Sequence, residues 1–126
     1  MVNVEEMVKG VFEEIKREVP GVKGVVLASP DGLPIVSDVE STDQKNRLSA
    51  MVSALAALAR RMGPELKTGD FEGISVDFSD GRIFCYAIED VAILAIATRK
   101  DINLGMLNLV VPGAISKIKS IITTGR

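Results

Sequence analysis

Few residues in this chain could do chemistry. It has one cysteine and no histidine, so the usual general base and metal ligand is absent and a cysteine zinc cluster cannot form. Cys85 alternates with apolar neighbours, a pattern that favours a core position over a nucleophile. Asp31 and Asp80 each precede a glycine, and we interpret them as turn residues rather than catalytic carboxylates.

The motifs of nucleotide enzymes and hydrolases are also missing. The patterns GxxxxGK[ST], GxGxxG and GxSxG do not occur. We therefore predict that the protein is not an enzyme and uses no cofactor or metal. The net charge of −2 and the few aromatic residues argue against nucleic-acid binding.

Location is predicted from the same composition. The longest unbroken apolar run, from Val91 to Ala97, is too short to span a bilayer, so we expect no membrane insertion. The single cysteine suits a reducing compartment, and the acidic start of the chain lacks the basic region of a signal peptide. We expect a cytoplasmic protein.

The stretch from Ser41 to Met62 predicts the longest helix. Ser41 followed by Gln44 forms a capping box, which marks a helix start. No charged residue lies between Arg47 and Arg60. Large apolar side chains recur at steps of three and four, which predicts a stripe that covers the chain's own sheet: Leu48, Met51, Leu55, Leu58 and Met62.

A second stripe on this helix consists of Ala50, Ala54 and Ala57. Alanine is the best helix former and is common on exposed faces, so the stripe alone proves no contact. The absence of charge around it favours a second buried face over a solvated one. In a small domain, a second copy of the chain is the cover that we predict.

The rest of the chain predicts a helix at each end and two groups of strands. The first helix runs from Asn3 to Val19, and the last one starts after Asp101 or Asn103. The strands are expected at Val22–Ser29, Leu33–Val36, Phe71–Phe78, Arg82–Ile88 and Val91–Ala97. This order, helix-strand-strand-helix-strand-strand-strand-helix, predicts an α/β (α+β) fold, a five-stranded antiparallel sheet sandwiched by helices. We take residues 1–126 as a single domain.

Strand positions follow from apolarity and proline. The first and last strands are apolar on both faces and belong at the centre of the sheet. Pro34 and the half-polar strand Phe71–Phe78 mark edges, and an open edge invites pairing with another chain. Gly63-Pro64 is expected to weaken or end the long helix, and Pro112-Gly113 to kink or interrupt the last one.

Three passages together resemble the Roadblock family of dynein light chains and bacterial MglB-type domains. Gly24–Ile35 is similar to the family's opening hairpin, and the alanine-rich Leu48–Arg61 to its central helix. Val91–Thr98 with Asp101–Gly105 is similar to its last strand and the start of its last helix. The likeness covers nearly the whole chain, and Pro112-Gly113 inside the last helix is a departure from the family's pattern.

The resemblance implies a homodimer in which edge strands join into one continuous sheet, with the long helices side by side over the join. It further implies a scaffold or regulator of small Ras-like GTPases, without chemistry of its own. Two alternatives stay open: a structural light-chain-type subunit of a larger assembly, and a small-molecule sensor domain.

The predicted contact residues lie on the long helix and the edge strand. For the homodimer interface they are Ala50, Ser53, Ala54, Ala57, Arg61, Ile74 and Val76. For the partner we predict Arg60 and Arg61, because cations are favoured at a helix C-terminus and arginine is enriched at interface hot spots. A cationic helix end with solvated side chains explains the two arginines equally well.

Overall fold

The fold consists of three helices and a five-stranded sheet, in the predicted order. A computed structural model describes residues 3–124. The elements are α1 (Val4–Glu18), β1 (Val22–Ala28), β2 (Pro34–Ser37), α2 (Thr42–Leu66), β3 (Gly73–Phe78), β4 (Gly81–Ile88), β5 (Ala92–Arg99) and α3 (Leu104–Thr124).

The strands form one antiparallel sheet in the order β2-β1-β5-β4-β3. The apolar strands β1 and β5 are neighbours inside the sheet, and β2 and β3 are its edges, as predicted. Pro34 therefore sits on an edge strand, where a missing backbone donor is tolerated. Gly32 follows Asp31 in the β1–β2 turn with a φ of +92°, which glycine adopts without strain.

One face of the sheet is covered by α1 and α3. The Asn3 side chain caps α1 by accepting a hydrogen bond from the Glu6 backbone N–H at 2.8 Å. Large side chains of both helices are fully buried in this layer, namely Phe12, Ile15, Leu107 and Ile118. They belong to one apolar cluster with the strand residues Val25, Leu27, Leu94 and Ile96. This layer is the main hydrophobic core.

The other face is covered by α2, which begins at the predicted cap. The Ser41 hydroxyl accepts a hydrogen bond from the Gln44 N–H at 3.2 Å. The residues of α2 that are buried are small: Ser49, Val52, Ser53 and Ala56. Val52 and Ala56 pack on Cys85, Ile93 and Ala95 of the sheet.

The predicted sheet-covering stripe of α2 is therefore wrong. Met51 and Leu58 are each 57% exposed and Met62 is 60% exposed, while Leu48 and Leu55 are only half-buried. The reason is the close approach of the helix to the sheet end. A Cβ atom on Gly32 would lie 3.4 Å from the Ala50 Cα, so there is little space for large side chains under α2.

Neither internal proline ends its helix. α2 continues through Pro64 and ends at Lys67, a left-handed residue whose N–H reaches the carbonyls of Gly63 and Pro64. Because Pro64 lies in the last turns, its missing N–H leaves few helical bonds to disturb. α3 is likewise continuous through Pro112, and its buried residues Val111 and Ala114 flank the proline. The expected break at Gly63-Pro64 and interruption at Pro112-Gly113 do not occur.

Among the described residues, α3 is the one helix with the length and composition to cross a membrane. Core helices of soluble domains have the same properties. Leu107, Val111, Ala114 and Ile118 of α3 belong to the main core, so one side of this helix packs on the sheet.

Candidate partner-binding surface

The exposed side of α2 is a continuous surface that the described part of the chain leaves uncovered. We call it the outer face of α2, and it consists of Ala50, Met51, Ala54, Ala57, Leu58, Arg61 and Met62, all of them exposed. Each of these residues has another of the group three or four positions away, so they form one stripe along the helix. From Ala50 to Leu58 the stripe carries no charge. Such an uncharged apolar surface is typical of a protein contact.

Contacts at two turns set the orientation of α2. The Ser53 hydroxyl donates a hydrogen bond to the Ser29 carbonyl at 2.7 Å, which ties the helix to the β1–β2 turn. Further along, the Arg60 Nη2 donates to the Glu89 carbonyl at 2.6 Å in the β4–β5 turn. Because both anchors lie on the inner side of α2, the side that carries Met51 and Leu58 faces outward.

The edge strand β3 extends this surface. Ile74 and Val76 pair with Cys85 and Ile83 of β4, and Ile74 packs in the same cluster as the buried residues of α2. Alternation places Val76 and Phe78 on the same sheet face as Ile74. Phe78 is 51% exposed, and no strand within residues 3–124 pairs with the outer edge of β3. The edge therefore offers free backbone groups beside apolar side chains.

The predicted interface residues fall into two groups. Ala50, Ala54, Ala57 and Arg61 lie on the outer face of α2, and Ile74 and Val76 lie half-buried on β3. Ser53 does not belong with them. It is 6% exposed and bound to the β1–β2 turn, so its role is to hold α2 on its own sheet.

The predicted partner residues Arg60 and Arg61 also differ. Arg60 is a half-buried residue whose guanidinium donates a hydrogen bond to the Glu89 carbonyl, whereas Arg61 is exposed on the outer face. Of the two, Arg61 is placed for contact with another molecule.

Sequence reasoning missed the large residues of this surface, namely Met51, Leu58 and Met62. A sequence pattern for the sheet-facing side was nevertheless present on the opposite side of the helix. Ser49, Val52, Ser53 and Ala56 are also spaced by three and four, and small side chains on one line allow close helix–sheet packing. The choice between the two stripes depends on the size of the gap under the helix, which sequence periodicity does not contain.

The candidate reactive groups lie in the core or in turns. Cys85 is fully buried, and burial raises the pKa of its thiol to about 11, so it stays protonated near neutral pH. Asp31 and Asp80 are exposed in turns, as interpreted from the sequence. Within residues 3–124, no group of three or more Cys, Asp or Glu side chains is arranged to hold a metal ion. The outer face of α2 can bind by apolar contact and shape.

The comparison with known proteins supports this picture of the fold. An uncharacterized protein of Methanocaldococcus jannaschii is 29% identical over 117 residues, which cover 93% of this chain and 98% of the relative. The solved Roadblock/LC7 domain from Streptomyces avermitilis superposes with a TM-score of 0.85 at 19% identity, covering 98% of this chain and 100% of that domain. A structure of MglB in a tetrameric arrangement gives a TM-score of 0.87 at 16% identity, with 100% and 95% coverage.

The family model gives the assignment. The model of the Roadblock/LC7 domain matches residues 7–98, from α1 to the last strand of the sheet. The structural neighbours share the three helices and the five-stranded antiparallel sheet. On this match the chain belongs to the Roadblock/LC7 domain family.

Proposed function

We propose that the protein is a non-catalytic, homodimeric scaffold or regulator that binds a small Ras-like GTPase in the cytoplasm. Roadblock/LC7 domains are generally regulatory or scaffold domains without enzymatic activity. The observation that carries the proposal is the outer face of α2, uncharged from Ala50 to Leu58, beside the open edge of β3.

The dimer follows from the chemistry of these two features. A two-fold axis at the edge of β3 brings two copies of the strand together in antiparallel order, so that their free N–H and C=O groups pair. The two sheets then become continuous, and the outer faces of the two α2 helices meet above the join. Met51, Leu58 and Met62 would lose water there, and burying a large apolar side chain contributes about 1.5–3 kcal/mol. MglB of known structure, which shares this fold, occurs in a tetrameric arrangement.

The GTPase partner is proposed from the family resemblance together with the character of the surface. The structural neighbours include MglB from Myxococcus xanthus and the gliding protein MglB from Thermus thermophilus. Arg61 lies at the charged end of the outer face, where an arginine suits the rim of an interface. GTPase switch segments are ordered by the γ-phosphate, so a regulator is expected to prefer one nucleotide state.

Calorimetry of the full chain against small Ras-like GTPases from the same genome tests this function. Each GTPase is loaded with GDP or with a GTP analogue. We expect binding to one GTPase, with a clear preference for one nucleotide state. Equal affinity for both states would remove the regulatory part and leave a scaffold, and no binding to any GTPase would favour a structural subunit of a larger assembly.

A charge reversal pair locates the contact. Arg61→Glu is expected to weaken GTPase binding about tenfold or more, since truncating or reversing an interface arginine commonly costs over 1 kcal/mol. Arg17→Glu makes the same change on an exposed position of α1, in the other helical layer, and should leave the affinity unchanged. Equal losses in both variants would point to a general charge effect.

A further inference from the structure

A second feature of the molecule lies on the opposite sheet face from α2. A groove with a volume of about 530 Å³ runs between α3 and the start of β3. Its apolar lining includes Phe71, Tyr86, Val111 and Ile115. The outer face of α2 contributes nothing to it, so binding in the groove does not use the surface that we propose for the GTPase.

The groove exists because the helical layer on this face is one helix too narrow. Packed helices lie about 8–10 Å apart and strands about 4.8 Å apart, so two helices cover roughly four strands. Here α1 lies on β1 and β2, and α3 follows beside it. The edge strand β3 is therefore left uncovered on this face. Its residues on this face, Gly73, Ser75 and Asp77, are all exposed. The vacant strip therefore has the width and position of a third helix beside α3.

The groove floor is apolar and uncharged. Tyr86 lies against Gly73 across the strand pair, since a Cβ on Gly73 would be 3.5 Å from its ring. Burial, with a smaller contribution from Cys85, raises the pKa of the Tyr86 phenol above its ordinary value of 10.0, so the ring is neutral near pH 7. The floor thus provides an apolar seat for large side chains.

The charged residues that line the groove are all acidic: Asp70, Glu72 and Glu89. Lys119 neutralises Glu89 with an ion pair of 2.5 Å, so Asp70 and Glu72 supply the negative charge of the rim. Pro112 adds a further acceptor, because its missing N–H leaves the Asn108 carbonyl without its helical donor, and both residues line the groove. The rim therefore favours a ligand that carries positive charge and hydrogen-bond donors.

We infer that this groove binds a basic amphipathic helix of a protein partner, which completes the helical layer over β3. Its apolar face lies on Tyr86 and Ile115, and its lysines or arginines pair with Asp70 and Glu72. A small molecule suits the groove less well, because small-molecule sites enclose most of the ligand surface and this one is open along β3. Binding of a helix in an apolar groove is a recurrent mode of recognition.

The only tyrosine of the chain is Tyr86, and there is no tryptophan, so tyrosine fluorescence reports on this groove alone. The probe is a blocked 18-residue helical peptide of leucine and lysine, and the control probe has glutamate in place of lysine. Titration of the full-length protein with the lysine peptide should change the Tyr86 emission saturably, and the glutamate peptide should not. A response to both peptides alike, or peptide binding without a Tyr86 response, would overturn the inference.

A matched pair of variants tests the rim. Glu72→Lys is expected to lower the affinity for the lysine peptide about fivefold, which is the effect expected for reversing one exposed charge pair. Glu40→Lys makes the same charge change on an exposed loop outside the groove and should leave the affinity as it is. If Glu72→Lys does not fold by circular dichroism, Asp70→Lys replaces it with the same expectation. Equal losses at both sites would show general charge attraction and contradict the inference.

The competing occupant is a second copy of this chain. In that case the lysine peptide would compete with self-association and lower the mass measured by light scattering. A mass that is unchanged at saturating peptide supports the proposed occupant. Dissociation of the protein on addition of the peptide overturns it.

Discussion

The two faces of the sheet are covered in different ways. On one face, α1 and α3 bury large apolar side chains, and Phe12, Ile15, Leu107 and Ile118 are fully buried. On the other face, α2 buries small residues and turns Met51, Leu58 and Met62 outward. The first layer thus contains the large buried side chains of the fold, whereas the second buries small residues and exposes large ones. Stability is expected to depend mainly on the first layer and association on the second.

The largest effect should come from the layer of α1 and α3. Phe12→Ala removes a fully buried ring and is expected to lower the free energy of unfolding by about 3–5 kcal/mol. Leu109→Ala truncates a residue of α3 that is 76% exposed and should change it by less than about 0.5 kcal/mol. Urea denaturation followed by circular dichroism measures both. Similar losses of unfolding free energy in the two variants would contradict the difference in burial between Phe12 and Leu109.

Adjacent alanines of α2 sharpen the comparison within one helix. Ala56 is 2% exposed against the sheet, so Ala56→Leu is expected to overpack the gap and cost about 1–3 kcal/mol of unfolding free energy. Ala57 lies on the outer face, and Ala57→Leu adds the same volume without a clash inside the chain. The same denaturation experiment applies. A tolerated Ala56→Leu would mean that the gap under α2 is wider than described.

The anchor of α2 should have a smaller effect. Ser53→Ala removes the hydrogen bond to the Ser29 carbonyl and is expected to cost about 0.5–1.5 kcal/mol. Ser120→Ala, at an exposed position of α3, is the control and should be near neutral. A neutral Ser53→Ala would remove this contact as a determinant of the orientation of α2.

The smallest effect is a pH dependence across α1 and α3. The hydrogen bond and the charge of Lys117 lower the pKa of the Glu14 carboxyl below its ordinary 4.5. A group with a lowered folded pKa stabilises the fold above its unfolded pKa, and the stabilisation is lost as the pH falls through the folded value. Both side chains are exposed, so the effect is small. The stability difference between wild type and Lys117→Met should therefore shrink from pH 7 to pH 3, and a pH-independent difference would contradict this role.

Much of the fold could be predicted from the sequence, because its determinants are local. Ser41 and Gln44 mark the start of α2, and the apolarity of β1 and β5 places them inside the sheet. The prolines end neither helix, because packing around Pro112 preserves α3 as one helix despite the lost hydrogen bond.

The candidate surface could be predicted only in part. Alanines at helical spacing without nearby charge indicated a contact surface, and Ala50, Ala54 and Ala57 do lie outward. The outward direction of Met51 and Leu58 depends on the distance between α2 and the sheet, which tertiary contacts at Gly32 and Ser53 determine. The groove beside α3 results from the number of helices relative to the number of strands, and no sequence motif predicts such a groove.

The central claim is that the outer face of α2 holds two copies of the chain together, and light scattering tests it most directly. Wild-type protein at micromolar concentration should have the mass of a dimer. Leu58→Glu should be a monomer with an unchanged circular dichroism spectrum, because burying an unpaired carboxylate costs several kcal/mol, on the order of the affinity itself. Leu109→Glu, an equally drastic change at an exposed position of α3, should stay dimeric. A monomeric wild type, or a Leu58→Glu protein that remains a dimer, would contradict this claim.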